Sequence, residues 1–144
     1  MKKGFTLIEL LVVITVLGIL ASVVLVAINP SERIKEAYDA GKKSDVSQVS
    51  TALESYFTTN RGTYIKNGNP ISGTDLINGG YLKRFPQSVS IDFSSDGLLA
   101  IAYSTLQAAS AQCNTGFGGI KYWVYYSPTG VSQIECLDTV PDLP

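Results

Sequence analysis

The stretch FTLIELLVVITVLGILASVVLVAI, residues 5–28, decides the architecture of this chain of 144 residues. Nineteen of its 24 residues are hydrophobic, whereas the rest of the chain has the composition of an ordinary soluble domain. As an α-helix, the uninterrupted part from Leu10 to Ile28 extends about 28 Å, which is close to the hydrocarbon thickness of a bilayer. We therefore interpret the chain as one globular body that carries a strongly apolar N-terminal helix.

Three kinds of segment share this hydropathy: a secretory signal peptide, a plain membrane anchor and a more specialised helix. A secretory signal ends in two small residues spaced two apart, and no such pair follows the apolar core here. Lys2 and Lys3 precede the helix, so the positive-inside rule predicts a cytoplasmic N-terminus and a body on the other side of the membrane.

Glu9 is the residue that a plain anchor does not explain. A carboxylate costs about 2.5–3.5 kcal/mol at the centre of a bilayer and less near its interface. Glu9 follows Phe5 by one helical turn. A cut before Phe5 would therefore create an α-amino group able to neutralise Glu9 of the same chain or of a neighbour.

The run KKGFTLIEL, residues 2–10, resembles the N-terminal signature of type IV pilins and type II secretion pseudopilins. The resemblance implies that a prepilin peptidase cuts after Gly4 and that the new N-terminal residue, Phe5, is N-methylated. It also implies that Glu9 pairs with the N-terminus of an adjacent subunit during filament assembly. The likeness covers about the first 60 residues, and the rest of the chain follows the family only in plan.

The likeness divides the N-terminal part into a leader, residues 1–4, a transmembrane and filament-core helix, residues 5–28, and an amphipathic second half, residues 29–59. In the second half, apolar side chains recur at helical spacing. The stripe consists of Ile34, Tyr38, Val46, Val49, Leu53 and Phe57, with Ala37, Ala52 and Tyr56 beside it. Gly41 and two following lysines interrupt it, so we expect that turn to be the least buried.

Two residues are expected to weaken the helix. Asn29 suits an N-cap and Pro30 a first helical position, so we expect a kink or a short break at Pro30. The family resemblance instead favours one long, bent helix through this point. It also implies that the helix can unwind locally at Gly18 when it is packed in a filament.

Residues 60–144 are expected to form the globular region. Residues 60–87 are loop-like, with a short helix from Thr74 to Asn78 that Thr74 would cap. Four strand-like runs follow and form two hairpins: Val89–Phe93, Leu98–Tyr103, Ile120–Tyr126 and Val131–Leu137. The predicted fold class is α+β and type IV pilin-like. The hydrophobic half of the long helix protrudes, and the amphipathic half packs on an antiparallel sheet of about four strands.

Cys113 and Cys136 are the two cysteines of the chain, and there is no histidine. A zinc site would lack ligands, which leaves reduced core thiols or a disulfide. For a chain whose N-terminus points to the membrane we expect the disulfide, which implies an oxidising compartment. Closing a loop of about 24 residues is worth roughly 3.5 kcal/mol in the loop-entropy model.

Several kinds of chemistry are excluded by what the sequence lacks. The formal charge of −1 does not suit a nonspecific nucleic-acid binder, so no nucleic acid is expected as a main partner. The glycine-rich stretch 116–119 has no lysine after it and is no phosphate loop. Asp92 and Asp96 flank a turn, but the acidic cluster that calcium needs is missing. Of the aromatic side chains in 122–126, half should be core and half exposed.

Nothing in the chain resembles a nucleophile with its base, so we expect no catalytic activity, no cofactor and no metal. The sequence predicts a structural subunit that is first held in the cytoplasmic membrane and then assembled into a cell-surface or periplasmic filament. Its partners would be copies of itself and related pilins, prepilin peptidase, an inner-membrane assembly platform and, before assembly, membrane lipid. Two alternatives stay open: a pseudopilin of a type II secretion system, and a membrane-anchored binding domain that never polymerises.

Overall fold

A computed structural model gives the structure of the chain, and it describes residues 4–111, 113 and 119–143. The elements follow one another as α1 (Leu7–Ile28), α2 (Pro30–Thr59), β1 (Ile65–Lys66), β2 (Asn69–Pro70), α3 (Gly73–Asn78), β3 (Ser90–Phe93), β4 (Ala100–Thr105), β5 (Ile120–Tyr126) and β6 (Val131–Leu137). The predicted α+β, pilin-like arrangement is confirmed. The chain divides into two compact units, the first ending at Ile34 and the second beginning at Lys35.

In the first unit, α1 is apolar around its whole circumference, and none of its residues is buried. In the part of the chain that the structure describes, it is the one helix long and apolar enough to cross a membrane. It runs without interruption through Gly18 and ends at Ile28. Asn29 then adopts a left-handed conformation with φ 47°, and α2 begins at Pro30. Two helices separated by one residue therefore stand where the resemblance favours a single bent helix.

The second unit is built on a four-stranded antiparallel sheet in the order β3-β4-β5-β6. The register pairs Ile101 with Tyr126 and Trp123 with Ile134. The C-terminal part of α2 packs on one face of this sheet. The core between them consists of Val46, Val49, Ala52, Leu53 and Tyr56 of α2 together with Ala100, Ala102 and Tyr125 of the strands.

The apolar stripe of α2 is buried only in its C-terminal part. Ile34 is 57% exposed and Tyr38 is 67% exposed, so the prediction that they share the packed face is wrong. The buried residue of that region is Asp39, which is 4% exposed. Its carboxylate accepts the backbone N–H groups of Gln107 and Ala108 at 2.8–3.0 Å. The connection between β4 and β5 needs acceptors for these amides, and a polar side chain supplies them where an apolar contact was expected.

The next turn of α2 is held to the sheet by two lysines. Lys42 donates to the carbonyl of Thr105 at 2.7 Å, and the ammonium of Lys43 lies 4.8 Å from the ring centroid of Trp123. Gly41 is exposed, but Lys42 and Lys43 are half-buried. This turn is thus bound to the sheet by polar contacts that hydrophobic periodicity does not register.

The segment between α2 and β3 contains more structure than the sequence predicts. β1 and β2 form a small hairpin whose turn uses positive φ at Asn67 and Gly68. The short helix α3 begins one residue earlier than predicted, and its cap is Ser72 instead of Thr74. Ser72 and Asp75 form a capping box, which fixes the start of the helix.

Candidate functional site

The peptide bond between Gly4 and Phe5 lies ahead of α1, outside helical backbone. Both residues are exposed, and Phe5 is 85% exposed. A Cβ added at Gly4 would meet no atom within 4 Å. Thr6 has extended backbone, with φ −85° and ψ 150°. The bond is therefore accessible, and the chain itself has room for a side chain at position 4.

Thr6 and Glu9 form a capping box at the start of α1. One carboxylate oxygen, Glu9 Oε2, accepts the backbone N–H of Thr6 at 2.8 Å and its hydroxyl at 2.7 Å. In return, the backbone N–H of Glu9 donates to Thr6 Oγ1 at 3.3 Å. Within the described residues, Glu9 Oε1 accepts no hydrogen bond. Among the residues that the structure describes, one oxygen of the carboxylate is thus satisfied by Thr6 and the other has no donor.

The structure brings Phe5 and Glu9 to the same side of the helix start, where they line one shallow groove with apolar side chains of the next turns. Thr6 was not singled out by sequence reasoning as the partner of Glu9. The signal was present, because Thr-Leu-Ile-Glu, residues 6–9, has the spacing of a capping box directly before an apolar run. The charged group expected to meet Glu9, an amine on Phe5, does not exist in the uncut chain.

Cys113 and Cys136 are joined in a disulfide, with their Cα atoms 5.8 Å apart. Cys136 lies on β6 opposite Lys121 of β5, and Lys121 donates to the carbonyl of Ala108 at 3.2 Å. The disulfide and this lysine therefore both fasten the segment before Cys113 to the sheet. The predicted glycine-rich loop, residues 116–119, lies outside the described residues apart from Gly119.

Asp92 and Asp96, the acids weighed as calcium ligands, are engaged in local hydrogen bonds. Asp92 accepts the hydroxyl of Tyr103 at 3.1 Å. Asp96 accepts the hydroxyl of Ser94 and the backbone N–H of Leu98, and the Ser94 bond holds the pKa of Asp96 below its usual value. Over the described ranges, no three His, Cys, Asp or Glu residues are grouped so that they could hold a metal ion.

The aromatic run of β5 alternates between the two faces of the sheet, but no half of it is exposed. Tyr122 and Tyr125 are buried, and Trp123 and Tyr126 are half-buried. The prediction that half of these aromatic side chains are exposed is therefore wrong. On the face away from α2, Leu143 of the C-terminal segment lies in one groove with Tyr126.

The α2 side of the sheet contains a cluster of two tyrosines around one carboxylate. Glu54 Oε1 accepts the hydroxyl of Tyr125 at 2.5 Å and that of Tyr64 at 3.5 Å. Burial, reinforced by Glu54, raises the pKa of Tyr64 to about 12 and that of Tyr125 further still. The cluster joins α2 to β5, and nothing in it resembles a catalytic arrangement.

Comparison with known proteins concerns the N-terminal segment first. Residues 1–25 match the family model of the prokaryotic N-terminal methylation motif. The chain is 36% identical over 97 aligned residues to type II secretion system core protein G of Aeromonas hydrophila. That alignment covers 60% of this chain and 66% of the relative, slightly less than two thirds of its length. No solved structure gives a significant match. The resemblance to pilins and pseudopilins is confirmed.

Proposed function

From the likeness to pilins and pseudopilins, we propose that this chain is a structural subunit of a type IV pilus-like filament. In this proposal, prepilin peptidase processes it after Gly4, and it assembles through its N-terminal helix. One observation carries the proposal: all of α1 is exposed, although it is apolar on every side. Such a surface needs lipid or other helices around it, and a bundle of copies supplies the second environment.

The state of Glu9 supports a link between processing and assembly. Thr6 satisfies one carboxylate oxygen, and the other has no donor among the described residues. Cleavage after Gly4 creates a positively charged amine on Phe5, the donor that this oxygen lacks. A neighbour's amine at this point would offset the cost of carrying a carboxylate in an apolar bundle and would set the axial register between subunits.

A second candidate, a pseudopilin of a type II secretion system, is favoured by the relative from Aeromonas hydrophila. Both candidates share the membrane-anchored precursor, the extracytoplasmic body and the role of Glu9. They differ in where the filament ends: at the cell surface for a pilus, and in the periplasm for a secretion pseudopilus.

Glu9→Ala tests the shared part of the proposal. The variant should be cleaved as the wild type is, because the Gly4–Phe5 bond and its surroundings are unchanged, but its filament yield should fall at least about ten-fold. Glu32→Ala, which removes an acid outside α1, is the matched control and should assemble normally. Wild-type filament yield from Glu9→Ala would overturn the proposal.

Mass spectrometry of the mature N-terminus separates the subunit from a binding domain that never polymerises. A filament subunit should begin at a methylated Phe5, whereas the binding domain keeps residues 1–4. Electron microscopy of the cell surface and a secretion assay in a deletion strain then separate the two candidates. If the chain is a pilus subunit, wild-type cells carry surface filaments and the deletion strain secretes normally. If it is a secretion pseudopilin, wild-type cells carry no such filaments and the deletion strain loses secretion.

A further inference from the structure

The exposed face of α2 from Ser44 to Thr58 carries no charged side chain. Its exposed members are Ser44, Ser47, Gln48, Thr51, Ser55 and Thr58. The solvent face of an amphipathic helix is normally rich in lysine and glutamate. A helix face without them is more easily covered by another protein surface, because no charge has to be removed from water.

Three hydroxyl groups of this face, those of Thr51, Ser55 and Thr58, already have acceptors within the helix. Thr51 donates to the carbonyl of Ser47 at 2.9 Å, and Ser55 donates to that of Thr51 at 2.8 Å. Thr58 donates to the carbonyl of Glu54 at 3.0 Å. Covering Thr51, Ser55 and Thr58 would therefore leave none of these three hydroxyl donors unsatisfied, and an unsatisfied donor is the main penalty for burying a polar group.

A groove of about 860 Å³ runs between this face and the segment 81–87. Lys83 and Arg84 lie exposed at its border, and neither forms an ion pair with any residue that the structure describes. Asp45, the acid in the lining, accepts the hydroxyl of Ser88 at 2.8 Å. Half-buried Phe85 adds an apolar wall. The groove thus offers two cations at its border, and the side that α2 forms is uncharged apart from Asp45.

The C-terminal segment of the chain has the opposite character. Pro141 is buried, whereas Asp138, Val140 and Asp142 are exposed. In the part of the chain that the structure covers, neither aspartate forms an ion pair with a cation. The segment therefore presents two unpaired negative charges on either side of an exposed apolar residue.

We propose that the groove between α2 and segment 81–87 receives the acidic C-terminal segment, residues 138–143, of a second copy of this chain. Lys83 and Arg84 meet the two aspartates, and Val140 lies against Phe85. The two surfaces are different patches of the same molecule, so the contact is heterologous and does not close, which is the geometry of a helical filament. This inference rests on the proposed function, since only a filament repeats the contact along its length.

Photo-crosslinking in assembling cells tests the contact directly. The full chain carries a photoreactive amino acid at Thr51 or, as the control, at Asn78, an exposed polar residue of α3. Irradiation should join two copies through Thr51 to a peptide that contains residues 138–143, and Glu9→Ala should abolish that product. A crosslink to another peptide of the partner copy, to a different protein, or none at all from assembled filaments would overturn the inference.

Charge reversal supplies an independent readout. Arg84→Asp should lower filament yield at least about ten-fold, because like charges would then face each other at every contact. Adding Asp142→Arg to the same chain should restore most of the yield, whereas Arg61→Asp, at an exposed arginine outside the groove, should have little effect. Wild-type yield from Arg84→Asp alone, or no restoration by the second change, would contradict the contact. If the wild type forms no filament, the proposed function fails together with the contact. If the wild type forms filaments and Glu9→Ala lowers their yield, the proposed function holds, and a failed charge-reversal test then counts against the contact alone.

Discussion

Replacing Asp39 by alanine should destabilise the globular unit far more than its place on the polar side of a helical pattern suggests. Asp39 is 4% exposed, and its carboxylate accepts two backbone N–H groups, those of Gln107 and Ala108. The variant would leave both donors without an acceptor, at about 1–3 kcal/mol each. Alanine returns about 0.5 kcal/mol through its higher helix propensity. The free energy of unfolding should therefore fall by about 2–5 kcal/mol.

Urea unfolding of the processed full-length chain in detergent, followed by tryptophan fluorescence, measures this loss. Trp123 is the single tryptophan of the chain and contacts Lys43, one turn of α2 beyond Asp39. Asp39→Asn keeps one acceptor oxygen and should lose about half as much. Asp45→Ala, which removes one hydrogen bond to Ser88 in a half-buried place, is the control and should cost about 1 kcal/mol. A loss below about 1 kcal/mol for Asp39→Ala, or equal losses for the alanine and asparagine variants, would refute the reasoning.

Three further outcomes are expected. Gly4→Ala should leave the globular unit intact, because a Cβ at Gly4 touches nothing in the chain. It should block processing in the proposed function, so that the precursor stays unshifted on a gel. A mature band of normal intensity would contradict this prediction. Replacing Cys113 and Cys136 together by serine should lower the free energy of unfolding by up to roughly 3.5 kcal/mol, measured by urea titration, and a loss under about 1 kcal/mol would show that the bond constrains little. The folded-state pKa values of Tyr64 and Tyr125 are raised, so their contribution to stability is complete below the unfolded pKa near 10 and is lost as pH rises through the folded values, about 12 for Tyr64. Thermal unfolding between pH 9 and 12 should show this decline, and Tyr125→Phe should flatten it; an equally steep decline in that variant would be the opposite result.

Local signals were sufficient for the strands β5 and β6. Both were predicted with the residues that the structure gives them, because aromatic and β-branched residues fill each run and Pro128 and Gly130 mark the turn between them. The capping box of Thr6 and Glu9 was equally local. The spacing of three residues between Thr6 and Glu9, directly before an apolar run, is the signal for it.

The sequence pattern did not show which residues of α2 meet parts of the chain that are distant in sequence. Helical periodicity placed Tyr38 and Val46 on one stripe, but it carries no information on how far the sheet extends beneath the helix. Asp39 is buried because a connection 68 residues later in the chain needs acceptors for its amides. No local pattern indicates that need, and the same holds for the position of Leu143 beside Tyr126.

The central claim is that Glu9 gains a second partner, the Phe5 amine of a neighbouring subunit, when the processed chain enters a filament. Helical reconstruction of filaments by electron cryo-microscopy, at a resolution that shows side chains, measures the relevant distance: from the Phe5 amine nitrogen of one subunit to the Glu9 carboxylate of its neighbour. The account predicts an ion pair, with nitrogen and oxygen within about 4 Å. A neighbour's amine far from Glu9, with the carboxylate bound only to Thr6 of its own chain, would contradict it.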